Sequence, residues 1–127
     1  MLGRKLAQRL IQDQRIGEHE ITKLTLADIT TPKGLPKFEG AYAEHAMDMG
    51  DPDSAETLIQ QRPEFIFHLA AVVSGEAEAD FEKGYRVNLD STRYLLEAIR
   101  AQTDYCPRVI FTSSIAVFGV PFPDPIP

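Results

Sequence analysis

Apolar residues recur along this chain at two spacings, one typical of helices and one typical of buried strands. Leucine and isoleucine between Leu2 and Ile11 follow helical spacing with charged residues between them, which predicts an amphipathic helix from the first residues. The continuous apolar run over residues 65–71 is typical of a strand buried on both faces, as in a parallel sheet. Residues 108–114 predict a second strand of this kind.

Helical and extended patterns alternate through the remaining chain. The other predicted elements are a strand over residues 21–28, a loop over 30–40, a short strand over 41–47, a helix from the cap at 51–54 to Gln61, a polar loop over 74–80, a long helix over 81–102 and a proline-rich surface loop over 121–127. Leu89, Leu95, Leu96 and Ile99 of the long helix are expected to face the core. This alternation predicts an α/β fold with a doubly wound parallel sheet, in which ligands bind at the carboxyl ends of the strands.

Composition narrows the class of protein. The 127 residues suit one small domain, and 43% hydrophobic with 25% charged residues is an ordinary globular balance without a membrane-spanning apolar run. A formal net charge of −6 disfavours a nucleic-acid-binding surface. Cys106 is the only cysteine, which excludes an internal disulfide and favours a cytoplasmic setting, and the three histidines follow no metal-ligand spacing.

Polar residues at two predicted strand ends are candidates for chemistry. Ser113 and Ser114 end the strand over 108–114, where a hydroxyl could bond a substrate alcohol or carbonyl; a capping serine is the competing interpretation. Asp28 ends a strand roughly two dozen residues after Gly3, as the ribose-binding acid of dinucleotide folds does, although a turn-forming or capping aspartate is the alternative. Gly3 could be the third glycine of a phosphate-binding loop, where a side chain would block helix–strand packing.

Three segments together carry a family resemblance. Phe67-His-Leu-Ala-Ala71, Val87-Asn88 and Thr112-Ser-Ser-Ile-Ala-Val-Phe-Gly119 resemble the extended short-chain dehydrogenase/reductase family, the nucleotide-sugar epimerase and dehydratase type. The segments around His68–Gly75 and Asp80–Asp90 are similar to a branch of that family that oxidises a four-carbon sugar acid, D-erythronate. The resemblance implies NAD as cofactor and a small-molecule sugar acid as substrate.

The resemblance also implies a role for each matching cofactor position. Gly3 would be the last glycine of the family's Gly-x-x-Gly-x-x-Gly loop, and Asp28 would bond the adenosine ribose hydroxyls, which favours NAD over NADP. Asp48 and Met49 match the pair that contacts adenine. Leu69, Ala70 and Ala71 would line the path of the cofactor's ribose and phosphates.

Catalytic and substrate positions follow from the same resemblance. Asn88 matches the asparagine that supports the active-site network, and Ser114 matches the catalytic hydroxyl. Ser74 and Ser113 fall where the family contacts its substrate, whereas His68, alone in an apolar strand, is interpreted as structural.

The chain departs from the family at its catalytic base. The family uses a tyrosine with a lysine four residues later, and none of Tyr42, Tyr85, Tyr94 and Tyr105 has such a lysine. We therefore expect residues 1–127 to form an incomplete NAD-binding Rossmann domain, a fragment of a larger enzyme. This partial doubly wound sheet would lack its first strand and the C-terminal substrate-binding part, and would be weakly stable and inactive alone.

Three functions remain open at this stage. The parent protein is expected to be an NAD-dependent oxidoreductase acting on a sugar acid. A nucleotide-sugar epimerase or dehydratase and a non-catalytic NAD-sensing relative are the alternatives. A homodimer through the helix from Phe81 is a further possibility that the resemblance raises.

Overall fold

The computed structural model describes residues 2–119, in which helices and strands alternate. The helices are α1 (Leu2–Asp13), α2 (Pro52–Ile59), α3 (Ser74–Ala79), α4 (Phe81–Tyr85) and α5 (Ser91–Ala101), with a π-helical turn (Arg86–Asp90) between α4 and α5 and a 3-10 turn at Ile115–Phe118. The strands are β1 (Arg15–Ile16), β2 (His19–Glu20), β3 (Lys23–Asp28), β4 (Ala41–Ala46), β5 (Phe65–His68) and β6 (Arg108–Phe111). None of the described helices has both the length and the apolar character needed to cross a membrane. The proline-rich loop predicted over 121–127 lies outside the described residues.

The strands form three separate pairs. β3 and β4 are parallel, with Asp28 opposite Ala46, and β5 and β6 are parallel, with His68 opposite Phe111. The short β1 and β2 form an antiparallel hairpin that sequence analysis missed, with Gly17 at φ +59° in its turn. A loop joins β3 to β4, while α3, α4 and α5 lie between β5 and β6. These parallel pairs, together with the helices, confirm the predicted α/β class.

Residues of α1 and of the segment just after α2 contact opposite faces of β3. Leu24 faces α1, where it forms an apolar cluster with Ile11 and Phe38. The next residue, Thr25, points to the opposite face because side chains alternate along a strand, and its hydroxyl donates to Gln61 Oε1 at 3.2 Å, just beyond α2. Helices on opposite faces of one strand are the arrangement expected of a doubly wound sheet.

A second cluster holds α2 and α5 against β5 and β6. Ala55 and Ile59 of α2 pack on Leu95 and Ala98 of α5, and all four side chains are buried. The alanines have small side chains that let the two helices approach closely. Partly buried apolar residues of the neighbouring strands and loops complete this cluster: Ile66, Tyr94, Ile99, Tyr105 and Val109.

Residues 74–79 form α3, so the predicted loop at this position is wrong. The sequence Ser-Gly-Glu-Ala-Glu-Ala contains good helix formers but no large apolar side chain, and none of the six residues is buried. A helix without a buried apolar face leaves no apolar period in the sequence. Asp80 then separates α3 from α4, and its carboxylate accepts the Lys83 N–H at 3.0 Å as the cap of α4.

The predicted inward face of the long helix is only partly correct. Leu95 is 3% exposed, but Leu89 and Leu96 are 55% and 53% exposed, so the prediction is wrong for those two. The buried face instead carries the small residues Ser91 and Ala98, which an apolar count overlooks. The π-helical turn places one extra residue in the helix before Ser91. The buried face is therefore rotated relative to the face predicted from the leucine spacing.

The strands β5 and β6 are shorter and less buried than predicted. They end at His68 and Phe111 rather than at residues 71 and 114, and Phe111 is 55% exposed. The expectation of burial on both faces is therefore wrong within the described residues. Its physical reason is that α2 and α5 cover the face carrying Ile66 and Val109, whereas Phe65, Phe67 and Ile110 on the opposite face are only partly buried.

Replacing Leu95 by alanine should destabilise the protein far more than the same change at Leu96. Leu95→Ala removes a buried side chain from the second cluster and should lower the free energy of unfolding by about 3 kcal/mol. Leu96→Ala removes an exposed side chain and should change it by less than about 0.5 kcal/mol. Urea denaturation of both variants measures the difference, and equal losses would contradict the described face of α5.

Candidate active site

The predicted functional residues gather at the carboxyl ends of the parallel strands. Asp28 is the last residue of β3, and Asp48 follows two residues after the end of β4, the strand that pairs with it. Residues 69–71 directly follow β5, and Ser113 and Ser114 follow β6, the partner of β5. Each strand pair thus brings its two sets of candidate residues to one edge.

Asp28 is exposed at the tip of β3. One carboxylate oxygen, Oδ1, accepts the Thr30 N–H at 3.4 Å, so the turn-forming interpretation that the sequence left open has a structural basis. An ionised carboxylate has about four acceptor positions, and this single long bond leaves Asp28 with capacity for further hydrogen-bond donors.

Asp48 is held from two sides. Its Oδ1 accepts the Gly50 N–H at 2.8 Å, and its Oδ2 accepts from Arg86 Nη1 at 2.6 Å. The Arg86 hydrogen bond, with the Gly50 N–H, lowers the pKa of the Asp48 carboxyl below its usual value. Met49, the other predicted adenine contact, is half-buried beside this pair. Sequence reasoning missed Arg86, because a pair separated by 38 positions leaves no local pattern.

Gly50 makes room for the Arg86 side chain. Gly50 is buried, and a Cβ atom at this position would lie 2.6 Å from Arg86 Nη1 and 2.9 Å from Arg86 Cγ. Both distances are shorter than van der Waals contact, so any larger residue would force the arginine to move. A larger residue here would therefore disturb the ion pair with Asp48.

Asn88 clamps the segment that follows β5. Its Oδ1 accepts the Val72 N–H at 2.9 Å, while its Nδ2 donates to the Val72 carbonyl at 3.1 Å. One side-chain amide thus satisfies both polar groups of one peptide position, as a neighbouring strand would. This contact fits the predicted supporting role of Asn88, and it fixes the chain immediately after Leu69–Ala71.

His68 is buried at the end of β5 and tied to α5. Its Nε2 is hydrogen-bonded to the Thr92 hydroxyl at 2.9 Å, and its ring stacks with Phe111 at 5.9 Å. Burial lowers the pKa of His68, which favours the neutral ring. This environment fits the interpretation of His68 as structural. Within residues 2–119, no group of histidine, cysteine, aspartate or glutamate is placed to hold a metal ion.

The serines lie on exposed turns and helix starts. Ser114 is the N-cap of the 3-10 turn, and its Oγ accepts the Ala116 N–H at 3.2 Å, so the capping interpretation is realised. A hydroxyl that accepts one hydrogen bond can still donate another, so capping does not exclude a role of Ser114 in binding a substrate oxygen. Ser113 is exposed beside it, and Ser74 is the exposed first residue of α3.

Gly3 lies on α1 next to Leu69. A Cβ atom at Gly3 would stand 3.8 Å from Leu69 Cδ1, an ordinary van der Waals distance. The predicted reason for this glycine, that a side chain would block helix–strand packing, is therefore wrong for the residues described. The neighbourhood itself is as expected, since the start of α1 meets the segment after β5.

Comparison with known proteins identifies the family of this chain. The NAD dependent epimerase/dehydratase family matches residues 1–127, and the chain belongs to that family. Its curated relatives include D-erythronate dehydrogenase from Cupriavidus necator, 43% identical over 126 residues, with 96% of this chain and 38% of the relative covered. The family resemblance drawn from the sequence is thereby confirmed.

Two solved structures share the fold. A nucleoside-diphosphate-sugar epimerase from Agrobacterium tumefaciens matches with a TM-score of 0.91 and 55% identity, covering 99% of this chain and 38% of that one. A mutant of uronate dehydrogenase from the same organism, complexed with NAD, matches with a TM-score of 0.64 and 25% identity, covering 90% and 37%. These matches confirm a partial Rossmann-like fold. The chain spans 38% of the length of the D-erythronate dehydrogenase that it matches.

The residues present fit the adenosine half of NAD, the cofactor that the family's description names. Asp28 offers exposed carboxylate acceptors at a strand end, where ribose hydroxyls can donate. Asp48 offers an ionised carboxylate that is 40% exposed. Ala70 and Ala71 are small and exposed and directly follow Leu69, the neighbour of Gly3, which suits close approach of a ligand to the backbone.

Replacing Asn88 by alanine should loosen the segment after β5. The Val72 peptide would lose both partners, and hydrogen exchange at residues 69–73 should quicken by about tenfold, since the lost bonds hold that segment closed. Exchange measured by mass spectrometry on the full-length protein gives the readout. Gln102→Ala removes an amide at the end of α5 and is the control; equal exchange in both variants would contradict the clamp.

Proposed function

We propose that the full-length protein is an NAD-dependent oxidoreductase that oxidises a hydroxyl of a sugar acid such as D-erythronate. Residues 1–127 would form part of its NAD-binding domain. The observation that carries the proposal is that Arg86 and Asn88, two positions apart, tie the ends of two different strands to one helical turn. This arrangement joins the predicted adenine side to the predicted catalytic side, and the 43% identity to D-erythronate dehydrogenase supports the substrate class.

Cofactor recognition would rest on two carboxylates. Asp28 accepts from the adenosine ribose hydroxyls, and its negative charge disfavours the 2′-phosphate of NADP. Asp48 accepts from the adenine amino group, with Met49 beside the base. Leu69 to Ala71 line the ribose and phosphate path, and Gly3 at the start of α1 lies next to Leu69.

The substrate side would use hydroxyl groups at the ends of β5 and β6. Ser114 donates a hydrogen bond to the reacting oxygen and orients it, while Ser113 and Ser74 contact the rest of the sugar acid. Asn88 positions the intervening backbone through Val72. NAD, when bound, accepts the hydride from the carbon that carries the hydroxyl. The tyrosine–lysine base of the family is absent from residues 1–127, so we propose that this polypeptide alone is inactive.

A nucleotide-sugar epimerase is the second candidate. The match to a nucleoside-diphosphate-sugar epimerase, at 55% identity and a TM-score of 0.91, favours it. The same site would serve both reactions, because an epimerase returns the hydride to its substrate. Net reduction of NAD therefore separates the two candidates.

The full-length protein should reduce NAD in the presence of D-erythronate or a related sugar acid. Absorbance at the NADH band measures turnover, and Ser114→Ala should lower kcat by about a hundredfold or more because the orienting hydroxyl is lost. Ser113→Ala is the matched control with a smaller expected effect. Asp28→Ala should raise the KM for NAD by about tenfold and weaken the preference over NADP.

Two results would contradict this proposal. One is the absence of NAD reduction with every sugar acid, together with epimerisation of a nucleotide sugar, which would establish the second candidate. The other is turnover in Ser114→Ala equal to that in Ser113→Ala, which would remove Ser114 from the reaction.

We further propose that the full-length protein forms a homodimer through the helical run from Phe81. Phe81, Tyr85 and Leu89 recur at intervals of four and are 64%, 52% and 55% exposed. Such an apolar stripe fits a second copy of the same helix. Sedimentation should show a dimer, and Leu89→Glu should yield monomer, while Lys5→Glu at an exposed position of α1, outside the helical run, serves as the control. A monomer before any substitution would contradict this proposal.

We also propose that the full-length protein is cytoplasmic. The single cysteine of residues 1–127 cannot form an internal disulfide, so this part of the protein does not require an oxidising compartment, and the family uses NAD. Cell fractionation tests it, and recovery with a secreted marker would contradict it.

A further inference from the structure

The ion pair between Asp48 and Arg86 spans two elements that are distant in sequence. Asp48 lies in the loop after β4, while Arg86 begins the π-helical turn after α4, and their charged atoms are 2.6 Å apart. The two side chains are 40% and 44% exposed, so a pair of this kind contributes little to stability. Its consequence is geometric, because it fixes the rotation of the Asp48 carboxylate.

The two bonds to Asp48 leave it able to accept from a ligand. Each carboxylate oxygen has two acceptor positions, and the Gly50 N–H and Arg86 each use one on a different oxygen. A carboxylate in this state can accept hydrogen bonds but cannot donate one. Adenine presents an amino donor at its sixth position, whereas hypoxanthine presents a carbonyl acceptor there.

We propose that Arg86 is a positioning residue for base recognition, which aims the Asp48 carboxylate so that the site selects adenine over hypoxanthine. The proposal rests on the proposed function, in which Asp48 contacts the adenine of NAD. Arg86 touches neither the base nor the reacting atoms; it acts through Asp48.

Gly50 provides an independent route to the same effect. A methyl group at this position would come within 2.9 Å of Arg86 Cγ and displace the guanidinium, while the Gly50 N–H stays available to Asp48. Gly50→Ala therefore disturbs the ion pair without changing either charged residue. A shared phenotype of Gly50→Ala and Arg86→Met points to the ion pair itself.

Calorimetric titration of the full-length protein with ADP-ribose and with its hypoxanthine analogue tests the proposal. The unsubstituted protein should bind ADP-ribose more tightly. Arg86→Met should weaken ADP-ribose by about fivefold and leave the analogue nearly unchanged, so that base selectivity falls. Gly50→Ala should do the same in part, and Arg86→Lys, which keeps the charge, should restore part of the loss.

Arg93→Met is the matched control. Arg93 lies on the same helical run and pairs with Asp90 at 3.3 Å, away from Asp48, so its loss should leave both affinities within about twofold. Equal affinities in Arg86→Met and Arg93→Met would overturn the proposal, as would an equal loss for both ligands, which indicates a structural role only. If thermal unfolding shows that Arg86→Met does not fold, Gly50→Ala decides by the same criteria. Failure of the unsubstituted protein to bind either ligand would instead overturn the proposed function, and this inference with it.

Discussion

The helical run from α4 to α5 is the element on which the rest of the described structure depends. Its C-terminal half packs Leu95 and Ala98 against α2, which anchors the run to the core beneath β5 and β6. Its π-helical turn carries Arg86 and Asn88, which reach the loop after β4 and the segment after β5. Core packing at one end therefore sets the positions of two strand-end segments at the other, and loss of that packing would release both.

Local chemistry made part of this architecture predictable. The strand that ends at Asp28 follows from a run of β-branched and apolar residues, and the α/β class follows from the alternation of such runs with helices. The exposed helix α3 left no apolar pattern, and the small Ser91 that occupies the inner face of α5 gives no hydrophobic signal. Patterns of this kind record which residues are apolar, and they do not record which small polar residue is buried.

The polar contacts of the site were less predictable than its location. Asp48 was a candidate by resemblance, but its partner Arg86 is 38 positions away and becomes a partner only after the chain folds. Gly50 is unremarkable in the sequence, and its need for a small residue comes from the arginine that passes over it. Asn88 was assigned a supporting role, yet only the structure shows that it supports through the Val72 backbone. Long-range pairs of this kind connect residues that share no period, so sequence patterns cannot join them.

We propose that the strand-end carboxylates recognise the adenosine half of NAD. A crystal structure of the full-length protein with NAD tests this recognition directly. We expect the adenine amino group within hydrogen-bond distance of Asp48, the ribose hydroxyls on Asp28, and Arg86 still paired with Asp48. Adenine bound away from Asp48, or an Arg86 side chain turned away from that carboxylate to contact the ligand, would contradict it.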